Sequence, residues 1–465
     1  MNRIIDNRSR RKFIKNALSV SASSAVAPWV LNFAALGEAA AAGANDYKAL
    51  VCVFLYGGND YANTLVPYDA SSYAQYQALR PNLAYAFPSL AGTALNPTQA
   101  PVDKAGVVRQ YALAPELAPL LPLFNDGKMG VLLNVGNLIQ PVTKEQYLAN
   151  SAPLPAKLFS HNDQQSEWQS SGPEGTTTGW AGRMQDLLTS GSSKDIFSCV
   201  NVYGNAVFLS GLTSSQYQVT KNGPVALNSA NSLFGSYAAA KVMQSVMTAA
   251  SRHPLESDYA NVMMQALTAN QMLTAALNSA PAIGTPFPTG NSLAEQLKMV
   301  ARMASVAPTL GIKRQVFFVA LNGFDNHDNL ATTHPQLLTS VATALSSFYN
   351  ATAELGMASA ITAFTASDFG RTLTVNSDGS DHGWGSMHFM LGGAVKGRRF
   401  YGVPPIVASN GPDDVGQGRL LPTTAVDQYA ATLGKWFGLT ETQLLGALPN
   451  LSNYAQATRD IGFMA

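Results

Sequence analysis

Phe364-Thr-Ala-Ser-Asp-Phe-Gly-Arg-Thr372, followed after a short polar segment by Asp381-His-Gly-Trp-Gly-Ser-Met-His388, is the stretch on which the fold turns. The apolar run from Ala358 to Phe364 stops abruptly at Ser367-Asp368. A strand buried on both faces reads this way when it delivers a carboxylate at its C-terminal end. Ligands of open α/β sheets bind outside that end. One loop further on stand a second carboxylate, Asp381, and two of the chain's six histidines, His382 and His388. A third, His327, lies in Gly323-Phe-Asp-Asn-His-Asp328, after another strand-like run. Carboxylates and imidazoles at successive strand ends point to a metal site or an acid–base site. The plainer alternative is a set of polar residues that cap turns.

Working outward, Gln315 to Leu321 is the strand that precedes His327, and Ala49 to Leu55 has the same continuous apolar character. The latter ends in Tyr56-Gly-Gly-Asn-Asp60, whose glycines permit close backbone approach and whose Asp60 is a candidate ligand or a turn cap. Met129 to Val135 and Ile196 to Tyr203 complete the strand candidates. Between them, helical periodicity marks Pro115 to Phe124, a helix starting near Gly179, Leu293 to Val306, His334 to Leu355 and Tyr429 to Phe437. Residues from about 232 to 277 read as helix broken near His253-Pro254. Strands alternating with helices predict an α/β fold: a doubly wound, mostly parallel sheet flanked by helices, with a helical insertion at about residues 230–311. Right-handed crossovers then bring the polar motifs to one sheet edge. Ser160-His161 opens a further helix. Ser160 reads as an N-cap, or as a nucleophile at a helix N-terminus.

Composition narrows the function classes. The 465-residue chain has 12% charged residues and a formal charge of +1. Without residues 1–42 it carries 23 basic and 26 acidic residues, which does not suit a nucleic-acid surface. Two cysteines, Cys52 and Cys199, exclude a cysteine-based metal site, and no haem or dinucleotide fingerprint supports a redox protein. Both lie in apolar runs, as buried thiols do, although one disulfide would suit an oxidising compartment. Ser9-Arg-Arg-Lys-Phe-Ile-Lys15, a mildly apolar segment and Glu38-Ala-Ala-Ala-Ala-Ala-Gly43 resemble a Tat signal peptide over residues 1–42. The expectation is a periplasmic or extracellular protein, folded before the Tat machinery exports it, without a stable membrane span after cleavage. Residues 43–465 then form a single domain.

Taken together, Gly57-Gly-Asn-Asp60, Ser160-His161, Gly323-Phe-Asp-Asn-His327, Ser367-Asp-Phe-Gly-Arg371, Asp381-His-Gly383 and Leu391-Gly-Gly-Ala-Val-Lys-Gly397 resemble the Tat-exported domain of unknown function 1501 family. That family is placed in the alkaline phosphatase and sulfatase superfamily. The resemblance implies an alkaline-phosphatase-like sheet with divalent metal (zinc, calcium or magnesium) at its strand ends. It implies metal ligation by Asp60, Asp325, His327, Asp368 and His382, and Asp381 joins them as a further candidate ligand. Ser160 and His161 would be catalytic, and Arg371 would hold an oxyanion. The implied substrate is a small anionic ester, of phosphate or sulfate. Phe369 departs from the pattern: active hydrolases of the superfamily usually carry histidine there, and Phe369 cannot ligate a metal. The other reading is therefore a non-catalytic envelope protein that keeps the fold and binds or assembles with a partner.

Overall fold

The computed structural model describes residues 46–188, 196–225 and 232–465. The expected signal peptide at 1–42 lies outside them. Two compact units emerge. Of the described residues, the larger comprises 46–188, 196–221, 281–305 and 312–465, and the smaller comprises 222–225, 232–280 and 306–311. The expected helical insertion at 230–311 is thus divided. Helix Ser292–Ser305 belongs to the larger unit, because its apolar face (Leu293, Leu297, Val300) is fully buried there and Gln296 reaches into the sheet.

The larger unit is built on strands β1 (Lys48–Tyr56), β2 (Met129–Gly136), β3 (Cys199–Asn201), β4 (Tyr217–Thr220), β5 (Arg314–Asn322), β6 (Ile361–Ser367), β7 (Arg371–Val375), β8 (Ser380–His382), β9 (Ser386–Gly392), β10 (Phe400–Tyr401) and β11 (Thr424–Ala425). Across the main sheet they run β10–β2–β9–β6–β1–β5–β3–β4, with β11 beside β2. All of these pairings are parallel except the two made by β9. The fold is α/β with a mostly parallel central sheet. β1 lies at its middle, Val51 standing opposite Phe317 of β5 and Ala363 of β6. Ala49 to Leu55 are all buried, which explains an apolar run without alternation: helices cover both faces.

The expected helix over Pro115–Phe124 is a 3₁₀ segment, Pro115–Leu120, passing into a short α-helix, Leu121–Asn125. Pro119 and Pro122 withhold two backbone donors from a continuous α-helix. The strand expected over Ile196–Tyr203 shrinks to Cys199–Asn201, and the closing region at Phe400 pairs through only two residues. Helix Leu330–Glu354 starts a turn earlier than the apolar pattern, and Gly356 takes the left-handed position that ends it (φ +69°). Cys52 and Cys199 are buried free thiols, and burial pushes the Cys199 thiol up to about 12.

Topology positions the site. The C-terminal ends of β1, β5 and β6 lie at one edge of the sheet. Because β9 runs against its neighbours, its N-terminal end (Ser386, opposite Val135 of β2) lies at that same edge. The β7–β8 hairpin between β6 and β9 is therefore held there, with Arg371 paired opposite His382.

Candidate functional site

Asp325, just beyond β5, is the centre of the cluster. Its Oδ1 lies 2.7 Å from Arg371 Nη1, 3.1 Å from His327 Nε2 and 3.3 Å from His382 Nε2, and its Oδ2 lies 3.4 Å from His161 Nε2. Local backbone makes this approach feasible. Gly57 has φ +116°, and a Cβ there would stand 2.3 Å from the Asp325 backbone nitrogen, so only glycine fits. Burial alone would raise the Asp325 carboxyl, but the hydrogen bond and charge of Arg371, with His161 and His327, hold it below the ordinary carboxylate value.

Each imidazole is fixed by its other nitrogen. His161, the first residue of helix His161–Ser170, donates Nδ1–H to Asp368 Oδ2 at 2.6 Å. His382 Nδ1 lies 2.7 Å from the Phe159 carbonyl, which can only accept, so that nitrogen carries the proton. His327 Nδ1 lies 3.2 Å from Asp381 Oδ1, which also accepts from Asn376 Nδ2 at 2.7 Å. In the neutral rings all three Nε2 lone pairs therefore face Asp325. His161 Nε2 is shielded from solvent and has no hydrogen bond, while His327 Nε2 and His382 Nε2 stand only 2.8 Å apart. Three lone pairs beside a carboxylate repel one another unless a cation or proton lies among them. Burial would lower the His161 pKa, but its Asp368 bond and the Asp368 and Asp325 charges outweigh this and raise it. His382 is lowered by burial, with His161 and Arg371 adding to the effect, which favours its neutral form.

Among the described residues, His161, Asp325 and His382 form a group whose ligand atoms all lie within 4.8 Å of one another. A tetrahedral ion with bonds of about 2.0–2.1 Å needs donor separations of about 3.3–3.4 Å. His382 Nε2 lies 3.3 Å from Asp325 Oδ1 and His161 Nε2 lies 3.4 Å from Asp325 Oδ2, so each span matches that edge, but on a different carboxylate oxygen. The 2.8 Å gap between His327 and His382 does not. The donor set of two imidazoles and a carboxylate therefore fits one divalent ion.

The remaining predicted residues are distributed as follows. Asp368 is fully buried, and both its oxygens are engaged: Oδ1 accepts from the Gly57 N–H at 3.2 Å, and Oδ2 accepts from Gln165 Nε2 at 2.8 Å and from His161. It orients a histidine rather than facing the cluster. Asp60 is not brought to the cluster. It forms a two-pronged ion pair with buried Arg80 (2.9 Å for each oxygen) and accepts from Asn63 N–H and Ser380 Oγ. Arg371 is fully buried and donates to Asp325, to the Gly57 carbonyl and to the Ser380 carbonyl and hydroxyl. Its guanidinium fixes Asp325. Ser160 stands at the helix N-cap position, but its hydroxyl donates to Asp163 Oδ2 at 2.8 Å. Phe369 is buried with its ring centre 4.8 Å from those of both His161 and His382. His388 sits inside β9 against Trp168, away from the cluster residues. Gln165, Arg80 and the Phe159 carbonyl were not legible as site residues. Only Gln165 carried a signal, its i,i+4 spacing from His161 on one helix face.

A family model described as "Protein of unknown function (DUF1501)" matches residues 47–447. The chain belongs to the DUF1501 family. No curated protein matches this DUF1501 chain. Among solved structures, it is similar to Ps i-CgsB in complex with k-i-k-neocarrahexaose, at 9% identity and a TM-score of 0.34, covering 88% of this chain and 77% of that one. It is also similar to a Bacteroides thetaiotaomicron protein from work on the metabolism of multiple glycosaminoglycans, at 11% identity and a TM-score of 0.34, covering 86% and 74%. Among the described residues, no helix of this family member is long and apolar enough to cross a membrane.

Proposed function

We propose that this DUF1501 protein is an exported, mononuclear metal-dependent hydrolase of sulfate or phosphate esters, related to the alkaline phosphatase and sulfatase superfamily. The observation that carries this reading is the convergence of three Nε2 lone pairs on Asp325, each ring anchored by its Nδ1–H. His161, Asp325 and His382 would hold the ion, and the strand-end placement and the Ser160-His161, Gly323–His327 and Asp381–Gly383 motifs support the superfamily assignment. The twin-arginine segment supports export to the periplasm or beyond. Phe369 fills with carbon the side of the site where a further ligand would stand, which favours a single ion over a pair.

A divalent ion bound there would polarise an ester oxygen as a Lewis acid. The chain's own residues supply the rest. Asp368 and the Phe159 carbonyl hold His161 and His382 in one tautomer and orientation, as outer partners of metal-binding histidines do. Arg371 keeps Asp325 ionised and in place. His327 is the most exposed imidazole of the three, at 44%, and its Nδ1–H points to Asp381. It can take a proton at Nε2 from an attacking water and return it to the departing alcohol, while Asp381 stabilises the imidazolium between those steps. Ser160 is directed to Asp163 and is not the nucleophile in this scheme.

The test is elemental analysis of the exported protein beside Asp325→Ala and His382→Ala, followed by a screen of aryl sulfates and phosphates. One ion per chain, lost in both variants, with ester hydrolysis that follows the ion, is the expected result. Folded wild-type protein that binds neither zinc, calcium nor magnesium would sink the metal-centre reading. The alternative of a binding or assembly role would then replace it.

A further inference from the structure

The arginine expected to grip an anionic substrate is not free to do so. Every nitrogen of the Arg371 guanidinium already donates to protein, and the side chain is fully buried. Arg80, the other buried arginine of this region, is closed off by Asp60, Asn63 and the Leu373 and Thr372 carbonyls. A different arginine adjoins the cluster in the opposite condition. Arg419 donates Nε–H to the backbone carbonyl of His382 at 2.8 Å, and its guanidinium lies 4.5 Å from the centre of the Phe159 ring. Its two terminal nitrogens have no protein partner among the described residues, and the side chain is only partly exposed.

These three residues close a triangle. The Phe159 carbonyl accepts from the His382 ring, the Phe159 ring carries the Arg419 guanidinium, and Arg419 returns to the His382 carbonyl. The backbone is bent to make it. Phe159 has φ +71°, a conformation that a bulky L residue seldom adopts. Strain of this kind persists where surrounding contacts over-determine it, and functional sites are where it collects. The outcome is a cation immobilised on two sides, with both NH₂ groups unengaged, bonded to the backbone of the residue that carries a proposed metal-binding ring. A stacked, immobilised guanidinium with a free fork matches the paired oxygens of sulfate or phosphate.

We propose that Arg419 is the specificity-determining anion anchor of this site, taking two oxygens of a sulfate or phosphate group in its free fork while Phe159 and His382 hold it still. This rests on the ester-hydrolase reading for its substrate class. Anion capture by Arg419, however, is measurable without turnover.

Inorganic phosphate and inorganic sulfate serve as probes, titrated calorimetrically into the mature chain both zinc-loaded and metal-free. Arg419→Met is expected to bind the preferred ion at least about 100-fold more weakly, the loss of two charge-assisted hydrogen bonds. Its zinc content and melting temperature should stay those of wild type. Arg419→Lys keeps the charge and loses the fork, so it should recover only part of the affinity. Phenylglyoxal labelling of the wild-type chain reads the same contact without a substitution: phosphate or sulfate should protect Arg419, as located by peptide mass analysis. On any ester that is hydrolysed, Arg419→Lys should raise KM more than it lowers kcat. Equal anion affinity in wild type and Arg419→Met, or no binding of either ion to wild type in either metal state, overturns the anchor. Wild-type protein that holds no zinc yet binds the anion through Arg419 upholds the anchor and removes the metal centre instead.

Discussion

Arg371 and Asp60 show how far a charged residue's role depends on what its partner leaves free. Both are buried beyond water, where an ion is tolerated only with a full set of partners. Arg371 passes its constraint to Asp325. Arg371→Lys keeps the charge but cannot reproduce the fork that reaches Asp325 and the Ser380 carbonyl together. We expect a folded variant with zinc affinity about 10- to 100-fold lower, the usual cost of removing an outer partner of a metal ligand. Competition with a chromophoric chelator reads this directly, and an unchanged affinity would show that Asp325 needs no such support. Asp60 instead closes a structural pair. Asp60→Ala leaves Arg80 buried and uncompensated, for an expected loss of about 3–5 kcal/mol in urea unfolding. The folded fraction should match wild type in zinc binding. A stable Asp60→Ala protein that loses the ion would restore Asp60 to the ligand set.

At the scale of elements, the strands that carry the site were legible because helices cover both faces of the sheet. Ala49–Leu55, Gln315–Leu321 and Ala358–Phe364 show unbroken apolar runs that stop where the polar motifs begin. Strand direction leaves no such trace. Ser386–Gly392 is as buried as its neighbours, and only its pairing reveals that it runs the other way. The Asp60–Arg80 pair and the Phe159–His382 contact were illegible for a related reason: they join segments 20 and 223 residues apart, and no local pattern encodes them. The helix at Ser292–Ser305 hides another long-range device. Gln296 gives Nε2–H to the Ala320 carbonyl and accepts the Ala320 N–H, each at 3.0 Å. It completes β5 beyond Phe318, the last residue of β5 that short strand β3 pairs. Gln296→Leu should unpair both backbone groups and cost about 1–3 kcal/mol. Urea unfolding with an unchanged midpoint would show that water replaces the side chain.

At the scale of the whole molecule, buried titratable groups set how stability responds to pH, and two sets pull in opposite directions. His334 and His388 are fully buried neutral rings, pushed down to about 4 and about 3 by burial. Their contribution is complete above the unfolded value of about 6.5 and is lost as pH falls towards those folded values. Glu167, 6% exposed, is pushed up to about 7 by burial, with Asp427 and Asp163 adding negative charge nearby. Asp427, in the first turn of helix Val426–Phe437, is pushed up to about 6 by burial. A carboxyl raised in the folded state contributes fully below its unfolded value, and the contribution disappears as pH rises through the folded one. Between about 4.5 and 6.5 the two sets oppose each other. Above 6.5 the histidine term is saturated and Glu167 is left to ionise in a site whose one backbone donor, Ala156 N–H, lies 3.4 Å away. Stability should therefore fall between pH 6.5 and 8. Glu167→Gln keeps an acceptor for Ala156, removes the charge and should flatten that limb. At pH 8 it should exceed wild type by something on the order of 3 kcal/mol, the linkage equivalent of the shift. Urea unfolding of both proteins at half-unit steps tests this, and wild-type and variant curves that run parallel from pH 6.5 to 8 would rule it out. Because Glu167 sits on the helix that begins with His161, the same titration with zinc present asks whether ionisation there also loosens the ion: a midpoint gap between loaded and metal-free wild type that narrows towards pH 8, but holds constant in Glu167→Gln, would tie the buried carboxyl to the site.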